Sequence, residues 1–134
     1  MITWSAIARV DRWDEATKRQ WRRDGYLDVL NTRTKQIMRT STRVLEDVET
    51  NGQRLDILAA ASRLEVSLLV IHGARDESVP VSESLEIASA ARDATRLVIG
   101  SATHTYNAIH PLVTVPWELD LAAAVTTRFI AARA

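Results

Sequence analysis

The chain has 134 residues, of which 46% are apolar and 25% charged, a composition typical of a folded globular domain and not of a disordered segment. Its 17 basic side chains balance 17 acidic ones, so no positive excess favours nucleic acid or an anionic membrane as a partner. The absence of cysteine excludes disulfides, a thiolate zinc site and a cysteine nucleophile. No secretory signal and no apolar run of roughly 18 residues is present, so we expect a cytoplasmic protein without a membrane segment.

The first part of the chain predicts short elements. Residues 2–7 are typical of a strand, and residues 14–24 predict a helix that Asp14 can cap and Gly25 can end. The remaining signals before residue 64 are a two-stranded ribbon over residues 26–30 and 36–38, a helix capped by Ser41 or Thr42, and a short helix over residues 55–62.

The second part of the chain predicts a parallel α/β arrangement. Residues 66–71 form a continuous apolar run of the kind found in strands buried on both faces, and residues 96–99 form a shorter one. Residues 81–92 between them have the apolar spacing of an amphipathic helix, which predicts a strand–helix–strand crossover. A last helix is predicted over residues 117–134.

Polar turns follow both apolar strands, and they contain an acid and a base. Asp76 follows the first strand and His104 follows the second. Ligands of open parallel sheets bind outside the carboxyl ends of the strands, so the two side chains are expected on neighbouring turns, within reach of a hydrogen bond. A carboxylate bonded to one imidazole nitrogen leaves the other free as a general base. The structural alternative is that Asp76 only caps the following helix and His104 only orders its own turn.

Two segments resemble a known family. LLVIHGARDESVP at residues 68–80 resembles the strand and acid turn of α/β-hydrolases, and GSATHTY at residues 100–106 resembles their histidine turn. The similarity is greatest to the dienelactone-hydrolase-like and prolyl-oligopeptidase-like branches, which cleave esters or peptides. The resemblance implies that Asp76 is the acid and His104 the base of a catalytic triad, that the substrate is a small ester or a peptide, and that no cofactor takes part.

The resemblance also implies a domain organisation. Residues 1–7 would be the strand that follows the nucleophile region, residues 8–63 a cap-like insertion of helices and a hairpin, and residues 64–134 the C-terminal core with the acid and histidine turns. The fold class implied is therefore α/β, the C-terminal part of an α/β-hydrolase fold with parallel strands and crossover helices, preceded by the cap-like segment.

The triad's nucleophile is missing from this sequence. The family's nucleophile turn has the pattern G-x-S-x-G, and none of the four glycines, which are Gly25, Gly52, Gly73 and Gly100, lies two residues before a serine. One hypothesis is the C-terminal part of a serine hydrolase whose serine lies outside this chain. The alternatives are a half-domain that associates with a separate N-terminal half or with itself, and a degenerate hydrolase without activity.

Other candidate residues are weaker. His72 is expected to pack beneath the acid turn, and His110 to order the loop after the histidine turn. No pair of histidines has the spacing of a metal site on a helix, so no metal is expected. Four aromatic side chains are candidates either for an acyl-binding pocket or for ordinary packing, namely Trp4, Trp13, Trp21 and Tyr26.

Overall fold

The computed structural model describes residues 1–31 and 34–133 and divides into two compact units. Met1–Ala8 and Ile57–Ala134 form the sheet unit, and Arg9–Asp56 form the hairpin unit. In chain order the elements are β1 (Ile2–Trp4), α1 (Glu15–Asp24), β2 (Tyr26–Leu30), β3 (Ile37–Ser41), α2 (Thr42–Thr50), α3 (Ile57–Ser62), β4 (Leu68–Gly73), α4 (Val81–Ala90), β5 (Ala94–Ile99) and α5 (Trp117–Ala131).

The sheet unit is built on three parallel strands in the order β1-β4-β5. Ile2 of β1 lies opposite Leu69 of β4, and Gly73 at the end of β4 lies opposite Ile99 of β5. Every residue of β4 is buried, as expected for a strand between two neighbours with both faces covered. The register brings the carboxyl ends of β4 and β5 to the same edge, which is where the polar turns begin.

The two faces of β4 belong to two separate cores, because successive side chains of a strand point to opposite sides. Leu68 and Val70 pack with Ala61 and Ile87, which come from α3 and α4. The opposite core collects residues of the strands, the histidine turn and α5, namely Leu69, Ile71, Ile99, Ala102, Tyr106 and Ala122. The strand that ends at the acid turn is thus held by helices on both sides.

The hairpin unit contains an antiparallel pair, β2 and β3, with α1 and α2. Asp14 caps α1 by accepting the Thr17 N–H at 2.7 Å, and Gly25 ends it with φ of 78°, as predicted. Trp21 is fully buried and donates its indole N–H to the Thr40 carbonyl at 3.0 Å, which ties the helix to the hairpin. The predicted ribbon turn includes residues 32 and 33, which lie outside the described residues.

Several predicted bounds are corrected. The first strand ends at Trp4 instead of residue 7, because Ser5 has φ of 45° and leaves extended geometry. The strand predicted to start at residue 66 covers Leu68–Gly73, and α4 ends at Ala90 instead of residue 92. The second apolar strand is not buried on both faces: β5 is the last strand of the sheet, and Arg96 in its middle is exposed.

The predicted insertion over residues 8–63 extends further than the hairpin unit. Helix α3 belongs to the sheet unit, where its Ala61 packs against β4. Among the described residues, no helix combines the length and the apolar character required to cross a membrane.

Candidate active site

The acid turn connects β4 to α4 and is closed by its own carboxylate. One oxygen of Asp76, Oδ1, accepts the backbone N–H groups of Ser78 and Val79, each at 2.9 Å. This is the way an Asp side chain organises a turn of the backbone that follows it. Helix α4 begins after Pro80 without a side-chain cap, so Asp76 is not the cap of that helix. The Asp76 side chain is completely buried.

The backbones of the acid turn and the histidine turn touch at Gly73. A Cβ added there would lie 2.3 Å from the Ala102 carbonyl oxygen, closer than any side chain can approach. The contact is completed by backbone hydrogen bonds, from Ala74 N–H to Ile99 O and from Arg75 N–H to Ala102 O, both at 2.9 Å. Glycine is therefore required at residue 73 for the two turns to meet.

The histidine turn is held mainly by side chains. Asn107, with φ of 61°, accepts the Thr103 N–H on Oδ1 at 3.1 Å and donates Nδ2–H to the Ser101 carbonyl at 3.3 Å. The hydroxyl of Ser101 donates at 2.9 Å to Glu118, a buried carboxylate in the first turn of α5. These bonds fix both ends of the short segment that contains His104.

Tyr106 anchors the same turn to the centre of the sheet. Its buried hydroxyl donates to the Ile71 carbonyl at 3.0 Å, and the Ser5 N–H donates to that same oxygen at 2.9 Å. Ser5, Tyr106 and Asn107 all have positive φ values, which non-glycine residues rarely adopt. Backbone strain of this kind is concentrated at functional sites, and here it surrounds the carboxyl edge of the sheet.

The two predicted site residues meet between these turns. His104 Nδ1 lies 2.9 Å from Asp76 Oδ2. An ionised carboxylate only accepts hydrogen bonds, so Nδ1 carries the proton and donates it, and Nε2 of the neutral ring is left as a base. The side chain of His104 is 44% exposed, whereas that of Asp76 is fully buried. In this arrangement the free Nε2 belongs to a solvent-exposed ring, and the ring is held by a buried carboxylate.

The charge on Asp76 is maintained by its hydrogen bonds. Burial works to raise the pKa of this carboxyl group, but the Val79 N–H, the His104 imidazole and the Ser78 N–H outweigh it and hold the pKa below its ordinary value. At Tyr106 the effect of burial prevails over that of hydrogen bonding. It raises the pKa of the phenol above its ordinary value, so the hydroxyl stays protonated and can donate a hydrogen bond.

The remaining candidates are placed as follows. His72 is fully buried at the end of β4, beneath the acid turn, with Nε2 3.0 Å from the Val79 carbonyl oxygen. His110 is exposed. No group of three His, Cys, Asp or Glu side chains within residues 1–31 and 34–133 could hold a metal ion.

The aromatic candidates pack within their own units. Trp4 contacts Tyr106 in the sheet unit, with ring centres 5.2 Å apart, and donates its indole N–H to Thr126. Trp13 meets the buried Trp21 edge-on at 5.1 Å in the hairpin unit. The acyl-binding role stays a prediction.

Sequence reasoning did not identify the supports of the histidine turn. Asn107 and Tyr106 lie within three residues of His104, but nothing in their spacing indicates the positive φ values or the bond to Ile71. Glu118 lies in a helix start where an acidic residue is common on electrostatic grounds alone, so its burial gave no sequence signal.

Comparison with known proteins is informative only at the level of structure. No protein-family model and no curated protein matches the chain. A putative hydrolase from Agrobacterium vitis S4 aligns with a TM-score of 0.64 and 14% identity, over 95% of this chain and 48% of that one. The esterase domain of a Rhodothermus marinus protein aligns with a TM-score of 0.50 and 17% identity, over 92% of this chain and 48% of that one.

A third structure agrees with these two. A putative non-heme bromoperoxidase from Mycobacterium tuberculosis H37Rv aligns with a TM-score of 0.51 and 16% identity, over 98% of this chain and 57% of that one. The chain spans about half the length of these proteins. At such low identity the likeness shows the fold alone: this is an α/β protein whose parallel three-stranded sheet and helices match about half of an α/β-hydrolase chain.

Proposed function

We propose that this chain provides the acid and the base of a serine hydrolase that cleaves a small ester or a peptide. The observation that supports the proposal most directly is the bond of 2.9 Å between the buried Asp76 Oδ2 and the half-exposed His104 Nδ1. The bond lies at the carboxyl edge of a parallel sheet, where such folds place their chemistry. The resemblance of the two turns to those of α/β-hydrolases points to the same reaction class.

In the proposed reaction a serine outside this chain attacks the carbonyl carbon of the substrate. Nε2 of His104 takes the serine proton as the C–O bond to the enzyme forms, and then gives that proton to the departing alcohol or amine as the old acyl bond breaks. Asp76 keeps the Nδ1–H tautomer and stabilises the positive ring between these two steps. Water repeats the sequence on the acyl-enzyme, releases the carboxylic acid and restores the serine.

Three features support an external nucleophile. The sequence has no G-x-S-x-G pattern, and the chain spans about half of the putative hydrolase and of the esterase domain that it matches. Within the described part of the chain, β1 pairs only with β4, so one edge of this strand has no neighbour. An additional strand beside β1 would bring another carboxyl end to the same edge as the two turns.

The unpaired edge also favours a second candidate function, association without catalysis. Beside β1 lies a cavity of about 150 Å³ lined by apolar side chains, among them Ala61, Leu68 and Ile87. The Thr3 hydroxyl at this cavity is buried and finds no hydrogen-bond partner among the described residues. A second polypeptide, either a separate N-terminal half or another copy of this chain, could cover this edge.

The test of the hydrolase proposal is to express the chain together with the coding segment directly upstream and to measure hydrolysis of 4-nitrophenyl esters. We expect His104→Ala to reduce kcat/KM by at least about 10³-fold, because it removes both proton transfers. His110→Ala is the matched control, since it removes an exposed histidine six residues further on, and its activity should stay near that of the parent.

A fluorophosphonate probe provides the complementary measurement. It should label a serine of the upstream segment and no serine of this chain. Labelling within residues 1–134, or near-normal turnover of His104→Ala, would overturn the assignment. A stable monomer that unfolds cooperatively in sedimentation and denaturation experiments would instead argue against the association function.

A further inference from the structure

A second imidazole lies against the acid, and the proposed mechanism does not use it. His72 is fully buried where β4 ends, and its Nε2 lies 3.0 Å from the Val79 carbonyl oxygen and 3.3 Å from Asp76 Oδ2. Its other nitrogen, Nδ1, is buried without a hydrogen-bond partner among the residues that the structure describes. His72 therefore faces the acid from the side opposite solvent.

The hydrogen-bond partners of His72 indicate which of its ring nitrogens carries a proton. A carbonyl oxygen can only accept, so Nε2 carries a hydrogen that it donates to Val79 O, and Asp76 Oδ2 lies beside this bond, 3.3 Å from Nε2. Nδ1 is then a bare nitrogen. The charged ring would bury an N–H without an acceptor, which is costly, so the geometry fits the neutral Nε2–H form.

The hydrogen-bonding capacity of Asp76 shows what His72 adds. A carboxylate has about four acceptor positions, two on each oxygen. Ser78 and Val79 fill those of Oδ1 with their backbone N–H groups, and His104 fills one on Oδ2. The Nε2 of His72 lies 3.3 Å from Oδ2, beside the fourth position, and hydrogen-bonds the Val79 carbonyl oxygen. A buried carboxylate with three bonded donors and a ring N–H beside the fourth position has little room to rotate away from His104.

We propose that His72 is a positioning residue, whose neutral Nε2–H holds Asp76 Oδ2 in line with His104. It also holds the Val79 carbonyl, so one hydrogen ties the start of the acid turn to its end. His72 is fully buried, so it acts on the base only through Asp76 and is not itself catalytic. The proposal rests on the proposed function only in naming His104 as the base.

The test compares two substitutions of nearly equal shape in this chain, His72→Gln and His72→Met. Glutamine places an N–H donor near the position of Nε2, whereas methionine fills the space without one. The readout is the far-downfield proton resonance of His104 Nδ1–H and its exchange rate with water in NMR spectra. We expect the parent and His72→Gln to exchange slowly, and His72→Met to exchange at least about tenfold faster, because the N–H beside the carboxylate is lost.

Two results would overturn the proposal. Exchange in His72→Met as slow as in the parent would show that the donor is not needed, and equal acceleration in both variants would show that only the ring's packing matters. The unsubstituted chain gives a check that needs no variant to fold: ¹⁵N shifts of His72 must show a protonated Nε2 and a bare Nδ1. Neither readout requires a nucleophile or a substrate, so failure here is distinguishable from failure of the hydrolase proposal.

Discussion

The acid turn and the histidine turn are held in different ways, although both follow parallel strands and face each other. The acid turn is local: Asp76 bonds to backbone N–H groups two and three residues ahead, and its side chain is buried. The histidine turn depends on side chains, through the bonds from Tyr106 to Ile71 and from Ser101 to Glu118. Its own His104 remains half exposed.

The difference separates two requirements of a base held by an acid. In the proposed function the acid has to stay fixed and charged, which its backbone donors and the burial of its own side chain achieve. The proposed base has to reach a reacting atom, so the proposal requires that its turn be supported on one side and open to solvent on the other. We therefore expect a change that displaces the backbone of the acid turn to cost the most stability. Loss of a single side-chain hydrogen bond in the histidine turn should cost less.

The strongest way to break the acid side is Gly73→Ala. The added methyl group would lie 2.3 Å from the Ala102 carbonyl oxygen, and backbone atoms on both sides cannot move apart without losing the bonds between the turns. We expect the free energy of unfolding to fall by about 3 kcal/mol or more. Chemical denaturation of the purified chain measures this loss.

Gly100→Ala is the matched control, because Gly100 begins the histidine turn and a Cβ there has open space within 4 Å. Its φ is not in the left-handed region, so alanine should change the free energy of unfolding by no more than about 1 kcal/mol in either direction. Equal losses in the two variants would contradict the idea that the close approach of the two turns requires glycine at residue 73 and not at residue 100.

The second change, Asp76→Asn, tests the charge on the acid. The amide has to turn its NH2 group either to His104 Nδ1 or to the backbone N–H groups of Ser78 and Val79, so a hydrogen bond to the charged carboxylate is lost in both orientations. We expect a loss of about 2 kcal/mol at neutral pH, the range measured for hydrogen bonds to charged groups. Glu77→Gln, at the exposed neighbouring position, is the control and should leave stability nearly unchanged.

The pH dependence of the free energy of unfolding tests whether the charge of Asp76 causes this loss. The pKa of Asp76 is lower in the folded chain than its ordinary value of 3.8, so its ionised form stabilises the fold above that pH, and the contribution is lost as the pH falls further, through the folded value. The stability difference between the parent and Asp76→Asn should therefore narrow when unfolding is measured from neutral pH to below 3.8. A difference independent of pH would show that the charge does not matter.

The comparison also separates what the sequence could predict from what it could not. The local features were accessible: Asp14 as a helix cap, Gly25 as a helix end, and Asp76 and His104 at the ends of apolar strands follow from residue types and periodicity. The close approach at Gly73 could not be predicted, because it depends on which segment of backbone lies opposite residue 73 in the fold. The exposure of one side of β5 was not predicted either, because an apolar run does not indicate which position its strand takes in the sheet.

Long-range side-chain bonds were the least predictable part of the site. The Tyr106 hydroxyl bonds to the Ile71 carbonyl, 35 residues away in the sequence, and Tyr106 has a positive φ. A tyrosine near a histidine is equally compatible with a surface position. Likewise, Ser5 was predicted to continue a strand, and only the three-dimensional structure shows the turn that places its N–H on the Ile71 carbonyl.

The mildest change, Tyr106→Phe, sharpens the comparison on the histidine side. It removes the donor to the Ile71 carbonyl and the acceptor of the Ser5 hydroxyl, but it keeps the ring that packs against Trp4, and the Ser5 N–H still satisfies the Ile71 oxygen. The expected loss is therefore about 1 kcal/mol, because the Ile71 carbonyl stays paired and the lost bond from the Ser5 hydroxyl is long, at 3.4 Å. Tyr26→Phe is the control, since the half-exposed Tyr26 contacts Arg39 through its ring face and phenylalanine preserves that contact. If thermal unfolding showed Tyr106→Phe to be as damaging as Gly73→Ala, the histidine turn would depend on one central anchor and not on several small supports.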